Sequence, residues 1–214
     1  MSQAEKVNLI CLLIVFAKTP VAGQVKTRIG SVIGNNQAAL IYEQMLTKII
    51  TVSASNDKWR QAIAITPNSD EVYFEQLGLV VVKQCGVDLG VRMSNILSQG
   101  FQSGALQVII VGSDIPTLSY AEIADAFSLL NFVPAVIGPS ADGGFYLFGT
   151  TVEYGLVATR ILQGNIQWST AQVLGEMQVL CQKYSLPLAY LPLKKDIDTY
   201  EDWLDYQSAA DWEE

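Results

Sequence analysis

Histidine is absent from all 214 residues. That absence removes Ser-His-Asp triads, Cys-His dyads, histidine zinc sites and histidine general bases. Any metal ion must then sit on oxygen ligands, which points to magnesium, manganese or calcium, and any general base is a carboxylate or comes from the substrate. Cysteine is scarce: Cys11, Cys85 and Cys181 are far apart, odd in number and set among apolar neighbours. Neither a disulfide framework nor a CxxC site is indicated, and a reducing cytoplasm is the expected compartment. Basic charge is also short, with 13 Lys and Arg against 21 Asp and Glu and a net charge of −8. No extended basic patch offsets that balance, so a nucleic-acid polymer would be repelled. The apolar run from Leu9 to Ala17 is too short to span a bilayer, and Glu5 and Lys6 ahead of it do not make a positively charged leader, so no transmembrane segment is expected.

What is present is a 50% hydrophobic chain, long enough for one sizeable α/β domain over residues 1–214. Apolar runs of strand length alternate with amphipathic segments of helix length, the pattern of βα units around a mostly parallel sheet. Strands are expected at Asn8 to Phe16, Ala62 to Ile65, Leu79 to Lys83, Val108 to Val111 and Ala135 to Ile137. From Asn36 to about Ser55, the residues Ala39, Tyr42, Met45, Leu46, Ile49 and Ile50 recur at helical spacing. Capping boxes are readable at Ser119-Tyr-Ala-Glu122 and Ser169-Thr-Ala-Gln172, where a hydroxyl precedes Glu or Gln by three residues. Thr199 opens a further amphipathic helix carrying Trp203, Leu204 and Tyr206. No internal repeat, low-complexity tract or linker divides the chain.

In an open α/β sheet, ligands sit beyond the carboxyl ends of the strands, so the loops there are the place to look for chemistry. The first loop, Ala17-Lys-Thr-Pro-Val-Ala-Gly-Gln-Val-Lys-Thr-Arg28, brings Lys18, Lys26 and Arg28 together with Gly23. Its backbone can approach an anion such as a diphosphate while the cations neutralise it. It is neither a Walker A loop nor a GxGxxG fingerprint, and a solvated basic turn reads equally well. Gly112-Ser-Asp-Ile-Pro-Thr117 sets Asp114 at a strand's carboxyl end, the position of a metal-binding carboxylate; an Asx-turn ahead of Pro116 is the alternative. Gly138-Pro-Ser-Ala-Asp-Gly-Gly-Phe-Tyr-Leu147 offers Asp142, yet Asp-Gly-Gly is also an ordinary hairpin turn. Asp196-Ile-Asp198 puts two carboxylates on one side of an extended segment, or caps the helix that follows. Asp88 and Arg92 mark a helix start able to hold an anion or a ribose, although such exposed residues are common without function.

Taken in order, these motifs resemble the glycosyltransferase-A (GT-A) superfamily of nucleotide-diphospho-sugar transferases, and within it the small bacterial selenodomain-associated transferases. The resemblance runs from Phe16-Ala-Lys-Thr-Pro-Val-Ala-Gly-Gln-Val-Lys-Thr-Arg28 through Asp88-Leu-Gly, Gly112-Ser-Asp-Ile-Pro116, Gly138 to Tyr146, Trp168-Ser-Thr170 and Asp196-Ile-Asp-Thr199. It implies a Rossmann-like GT-A three-layer sandwich with a mostly parallel central sheet. It also implies a nucleotide-sugar donor, an acceptor whose identity the residues do not reveal, and Mg²⁺ or Mn²⁺ held by Asp114 and Asp198. Nucleotide and diphosphate would fall to Ala17, Lys18, Gly23, Lys26, Arg28, Asp88, Arg92 and Ser113. Lys26 and Arg28 would stabilise the leaving charge, and Asp142 would accept the acceptor's proton. Two departures stand out: family members usually carry an acidic residue at Val91 and often proline at Ala22. The nearest alternative is a guanylyltransferase-like nucleotidyltransferase using a nucleoside triphosphate, although the Leu-Ala-Gly-Gly loop associated with such enzymes is missing. A non-catalytic nucleotide-binding protein is the third reading. Asp114, Asp142 and Asp198 argue against it, and Val91 argues for it.

Overall fold

The structure is a computed structural model that describes residues 11–66 and 69–210. The elements run β1 (Cys11–Ala17), α1 (Thr27–Ile33), α2 (Asn35–Val52), β2 (Arg60–Ile65), α3 (Glu71–Gln76), β3 (Val81–Lys83), α4 (Leu89–Gln102) and β4 (Gln107–Gly112). They continue through α5 (Tyr120–Leu129), β5 (Ala135–Pro139), β6 (Phe145–Thr151), α6 (Gly155–Leu162), α7 (Val173–Lys183), β7 (Leu188–Tyr190) and α8 (Tyr200–Ala210). The strands form one seven-stranded sheet in the order β3-β2-β1-β4-β6-β5-β7. Only β6 runs against its neighbours β4 and β5; the other pairings are parallel.

The near-continuous apolar strands follow from burial on both faces. Along β1, Leu13 and Val15 point into one core with α2 and α5, while Ile14 points into the other with α4, α6 and α7. Helices thus cover both faces, giving the expected Rossmann-like three-layer sandwich. In α2 the predicted stripe faces the core: Ala39, Tyr42, Met45, Leu46 and Ile49 are all at most 8% exposed, and Ile50 is partly buried against them.

The five expected strands all form, with β1 visible from Cys11; residues 8–10 of that expectation lie outside the described residues. The strands β6 and β7 and the helices α1, α3 and α6 were not foreseen. The Ser119 capping box closes with Glu122 as expected. At Ser169 the expectation fails: Ser169 takes a left-handed φ of 65°, and the helix begins only at Val173 with no side-chain cap. Thr170 instead turns its hydroxyl onto the carbonyl of Gln167. Asp202 receives hydrogen bonds from the Thr199 amide at 2.8 Å and the Thr199 hydroxyl at 2.7 Å, closing the start of α8.

Candidate functional site

Parallel strands deliver their carboxyl ends to one edge of the sheet. The loops after β1, β2, β3, β4 and β5 therefore converge there, and the chain reverses its winding between β1 and β4, where a crevice opens. The loop after β1 is anchored by Tyr42 of α2. Its buried hydroxyl accepts from the Lys18 amide at 3.0 Å and shares a hydrogen bond with Ser113 Oγ at 3.0 Å. Burial, with help from the Asp114 charge, pushes the Tyr42 phenol up to about 12, so it serves as a neutral strut.

Lys26 ends that loop in the left-handed region, at φ 44° and ψ 48°. A non-glycine residue there is strained by about 1 kcal/mol or more, a cost tolerated where the geometry is needed. Its side chain is 6% exposed, and its Nζ lies 2.9 Å from Asp114 Oδ1 and 2.9 Å from Asp198 Oδ1. Burial alone would lower the Lys26 pKa, but the two carboxylates outweigh it and hold the ammonium above its ordinary range. Arg28, largely solvent-facing, reaches Asp198 Oδ2 at 3.6 Å. No Asx-turn closes at Asp114 among the described residues; its carboxylate goes to Lys26.

The turn between β5 and β6 is a hairpin, and it also supplies a site residue. Asp142 Oδ1 accepts from the Gly144 amide at 2.9 Å and from the Ser140 hydroxyl, while Gly143 turns at φ 87°. The segment after β7 comes alongside: the Ile197 amide donates to the Asp114 carbonyl at 3.0 Å and the Ala141 amide to the Lys194 carbonyl at 2.8 Å. Lys194 reaches Glu122 at 2.8 Å and the Thr117 carbonyl at 3.0 Å, tying three acid-bearing loops together. Asp196 then faces its neighbours closely. Burial first, then the charges of Asp142 and Asp198, hold its carboxyl above the usual range.

Two cavities abut here. One, of about 620 Å³, is lined by Ala17, Lys18, Lys26, Arg28, Arg92 and Ser113. The other, of about 560 Å³, is lined by Asp142, Asp196, Phe145, Tyr146 and Trp168. Both share Asp114, Asp198, Arg28 and Phe16. Most residues expected at the site are thus brought together. Asp88 lies outside both linings and spends its carboxylate capping α4 at the Val91 amide, 2.8 Å away. Gly23 also lies outside and shapes the loop at φ 78°. Val91 lines neither cavity and packs against the backbone of Gly86. Asp196, Phe145, Tyr146 and Trp168 were not among the expected site residues. The Asp196-Ile-Asp198 spacing signalled the first, and the Trp168-Ser-Thr170 motif the last.

Among the described residues no group of three acids could hold a metal ion. Asp114 and Asp198 nevertheless both reach one cationic atom, the Lys26 ammonium, and offer the oxygen donors a hard cation prefers. The pair suits a cation completed by ligands from elsewhere.

This architecture is that of the GT-A-like superfamily. Residues 49–170 match DUF2064, described as an uncharacterized protein conserved in bacteria, and the chain belongs to that family. A candidate nucleotide-diphospho-sugar transferase from Desulfovibrio desulfuricans G20 is 28% identical, with 92% of this chain and 87% of that one covered and a TM-score of 0.84. The 4-diphosphocytidyl-2C-methyl-D-erythritol synthase of Anaerococcus prevotii DSM 20548 shares 11% identity, 98% and 100% coverage and a TM-score of 0.63. A CMP:2-keto-3-deoxy-manno-octonic acid synthetase, complexed with CTP, shares 8% identity, 96% and 100% coverage and a TM-score of 0.59. The last two likenesses are of fold alone. No curated protein matches the chain, and no helix among the described residues is long and apolar enough to cross a membrane.

Proposed function

We propose that the chain is a glycosyltransferase that uses a nucleotide-diphospho-sugar donor, working as one domain with Mg²⁺ or Mn²⁺. The observation that carries this reading is the meeting of a basic cavity and an acidic cavity at Asp114, Asp198 and Arg28. The 28% identity to the Desulfovibrio protein supports the same donor class.

In this reading the donor's diphosphate lies among Lys18, Lys26, Arg28 and Arg92, with Ala17 and Ser113 against the nucleotide. As the bond between the sugar's anomeric carbon and the diphosphate breaks, negative charge grows on the leaving oxygen. Lys26 and Arg28 stabilise that charge from fixed positions, the arrangement that lowers a barrier most effectively. Asp142 commits one carboxylate oxygen to its own turn, which orients the other to take the acceptor's proton. A divalent cation, when bound, adds Lewis-acid neutralisation of the diphosphate; Asp114 and Asp198 would hold it together with phosphate oxygens of the donor.

A thermal-shift screen of nucleoside mono-, di- and triphosphates and nucleotide-sugars, each with and without Mg²⁺ or Mn²⁺, tests the reading. A ligand at about 100 times its Kd stabilises by about 2.7 kcal/mol, roughly 5–10 °C for a chain of this length. Metal-dependent shifts with a nucleoside diphosphate or its sugar are expected. A preference for triphosphates would replace glycosyl transfer by nucleotidyl transfer, and no shift with any nucleotide would overturn the enzyme reading.

A further inference from the structure

We infer that the acidic cavity takes a hydroxylated ring without phosphate or carboxylate, neutral or bearing an ammonium group, as the acceptor. This rests on the glycosyltransferase reading and narrows its second substrate to a chemical class.

The cavity's lining combines two chemistries. One is aromatic: Phe145 and Trp168 meet nearly edge to face, with ring centroids 6.2 Å apart and an interplanar angle of 73°. Trp168 is held against Gly90, where any side-chain carbon would collide with the indole and with the Leu162 carbonyl. A rigid aromatic corner of this kind packs against the C–H face of a ring with little loss of conformational freedom. The other is acidic: the carboxylates of Asp142 and Asp196 line the same cavity. Ionised carboxylates only accept hydrogen bonds, so they receive ligand hydroxyl or ammonium donors.

The same carboxylates discriminate against anions. Arg28 is the one basic residue lining this cavity among the described residues, its side chain is 75% exposed, and Asp198 already neighbours it. A phosphate or carboxylate brought here would face Asp142 and Asp196, which make no salt bridge among the described residues, whereas Asp114 and Asp198 are already matched by Lys26; the unpaired carboxylates are a repulsive element that sets specificity. The adjoining cavity, with Lys18, Lys26, Arg28 and Arg92, is where an anion is matched. A volume of about 560 Å³ lies in the range of small-ligand pockets. The transfer balances with the groups at the site. An acceptor hydroxyl oxygen bonds to the donor's anomeric carbon, the carbon–oxygen bond to the diphosphate breaks and its electron pair leaves with the diphosphate, and the hydroxyl proton passes to Asp142.

The test is saturation-transfer NMR of the full chain with methyl β-glucoside, glucosamine, glucose 6-phosphate and glucuronate, run beside the nucleotide thermal shifts. The neutral and aminated probes should bind at least about tenfold more tightly than the anionic ones. Asp196→Lys should erase or reverse that preference, and Trp168→Ala, which leaves the charge of the lining intact, should weaken the glucoside about tenfold. Equal or tighter binding of glucose 6-phosphate would overturn the inference, as would no sugar binding in a protein whose melting temperature rises with nucleotide. Sugar binding of the expected selectivity without any nucleotide shift would instead sink the donor reading and leave the ligand class of this cavity standing.

Discussion

Replacing Lys26 by methionine keeps the length of the side chain and removes the one charge that lies between Asp114 and Asp198. The ammonium sits 2.9 Å from each carboxylate, so the variant loses two attractions and leaves two like charges facing each other. A near-surface pair at this range is worth up to about 6 kcal/mol in the absence of screening. The carboxylates are 45% and 43% exposed, which cuts the net loss to roughly 1–2 kcal/mol. For a chain of this size that is a fall of about 2–8 °C in melting temperature.

The pH dependence follows from the same contacts. The folded-state pKa of Lys26 is raised above its ordinary 10.5. The contribution is therefore complete below that value and is lost as pH rises through the folded one. The gap between wild type and variant should be flat below pH 10.5 and should close above it. With the ammonium gone, the bare carboxylate pair should bind Mn²⁺ about tenfold more tightly by titration calorimetry without nucleotide, a change of about 1.4 kcal/mol. An unchanged melting temperature together with unchanged Mn²⁺ affinity would refute the reasoning.

Three other substitutions probe the frame of the site. Gly143→Ala places a side chain at φ 87° against the Ala171 backbone; a loss of about 2–4 kcal/mol is expected in urea unfolding, and wild-type stability would show that the turn is not constrained as described. Lys194→Met should cost about 2 kcal/mol at neutral pH by breaking a largely buried pair. Burial raises the Glu122 pKa, but hydrogen bonds from Lys194 and Ser119 more than offset it, leaving it below the ordinary 4.5. That stability is present above 4.5 and is lost as pH falls through the lowered value, so the two melting curves should converge in acid; a gap that persists there would assign the loss to packing. Asp88→Ala removes a helix cap and should cost about 1 kcal/mol while leaving nucleotide affinity unchanged. A tenfold weaker nucleotide would show that Asp88 reaches the ligand after all.

Much of the fold was legible along the chain because its determinants are local. Strands buried on both faces read as unbroken apolar runs, and α2 shows its buried stripe at helical spacing. The Ser119 capping box needs only four consecutive residues. The misses have tertiary causes. The run Phe145–Thr151 is a strand because β4 and β5 flank it, and Leu188–Tyr190 is one because β5 offers a free edge. Ser169 has the letters of a capping box, yet the packing of that segment against Gly143 sets a left-handed backbone and a later helix start.

The residue types alone determined that the chemistry is carried by carboxylates and cations, because a chain without histidine has few other groups to offer, and the loops after the strands showed which carboxylates and cations to consider. Only the tertiary structure decided their partnerships. Lys26 meets Asp198 across 172 positions of sequence, and the separation of a basic cavity from an acidic one with an aromatic wall depends on loops that meet only at the sheet's edge. Charge type is a property of single residues. Electrostatic pairing and cavity shape depend on distance in space, which this sheet order imposes and no local pattern encodes.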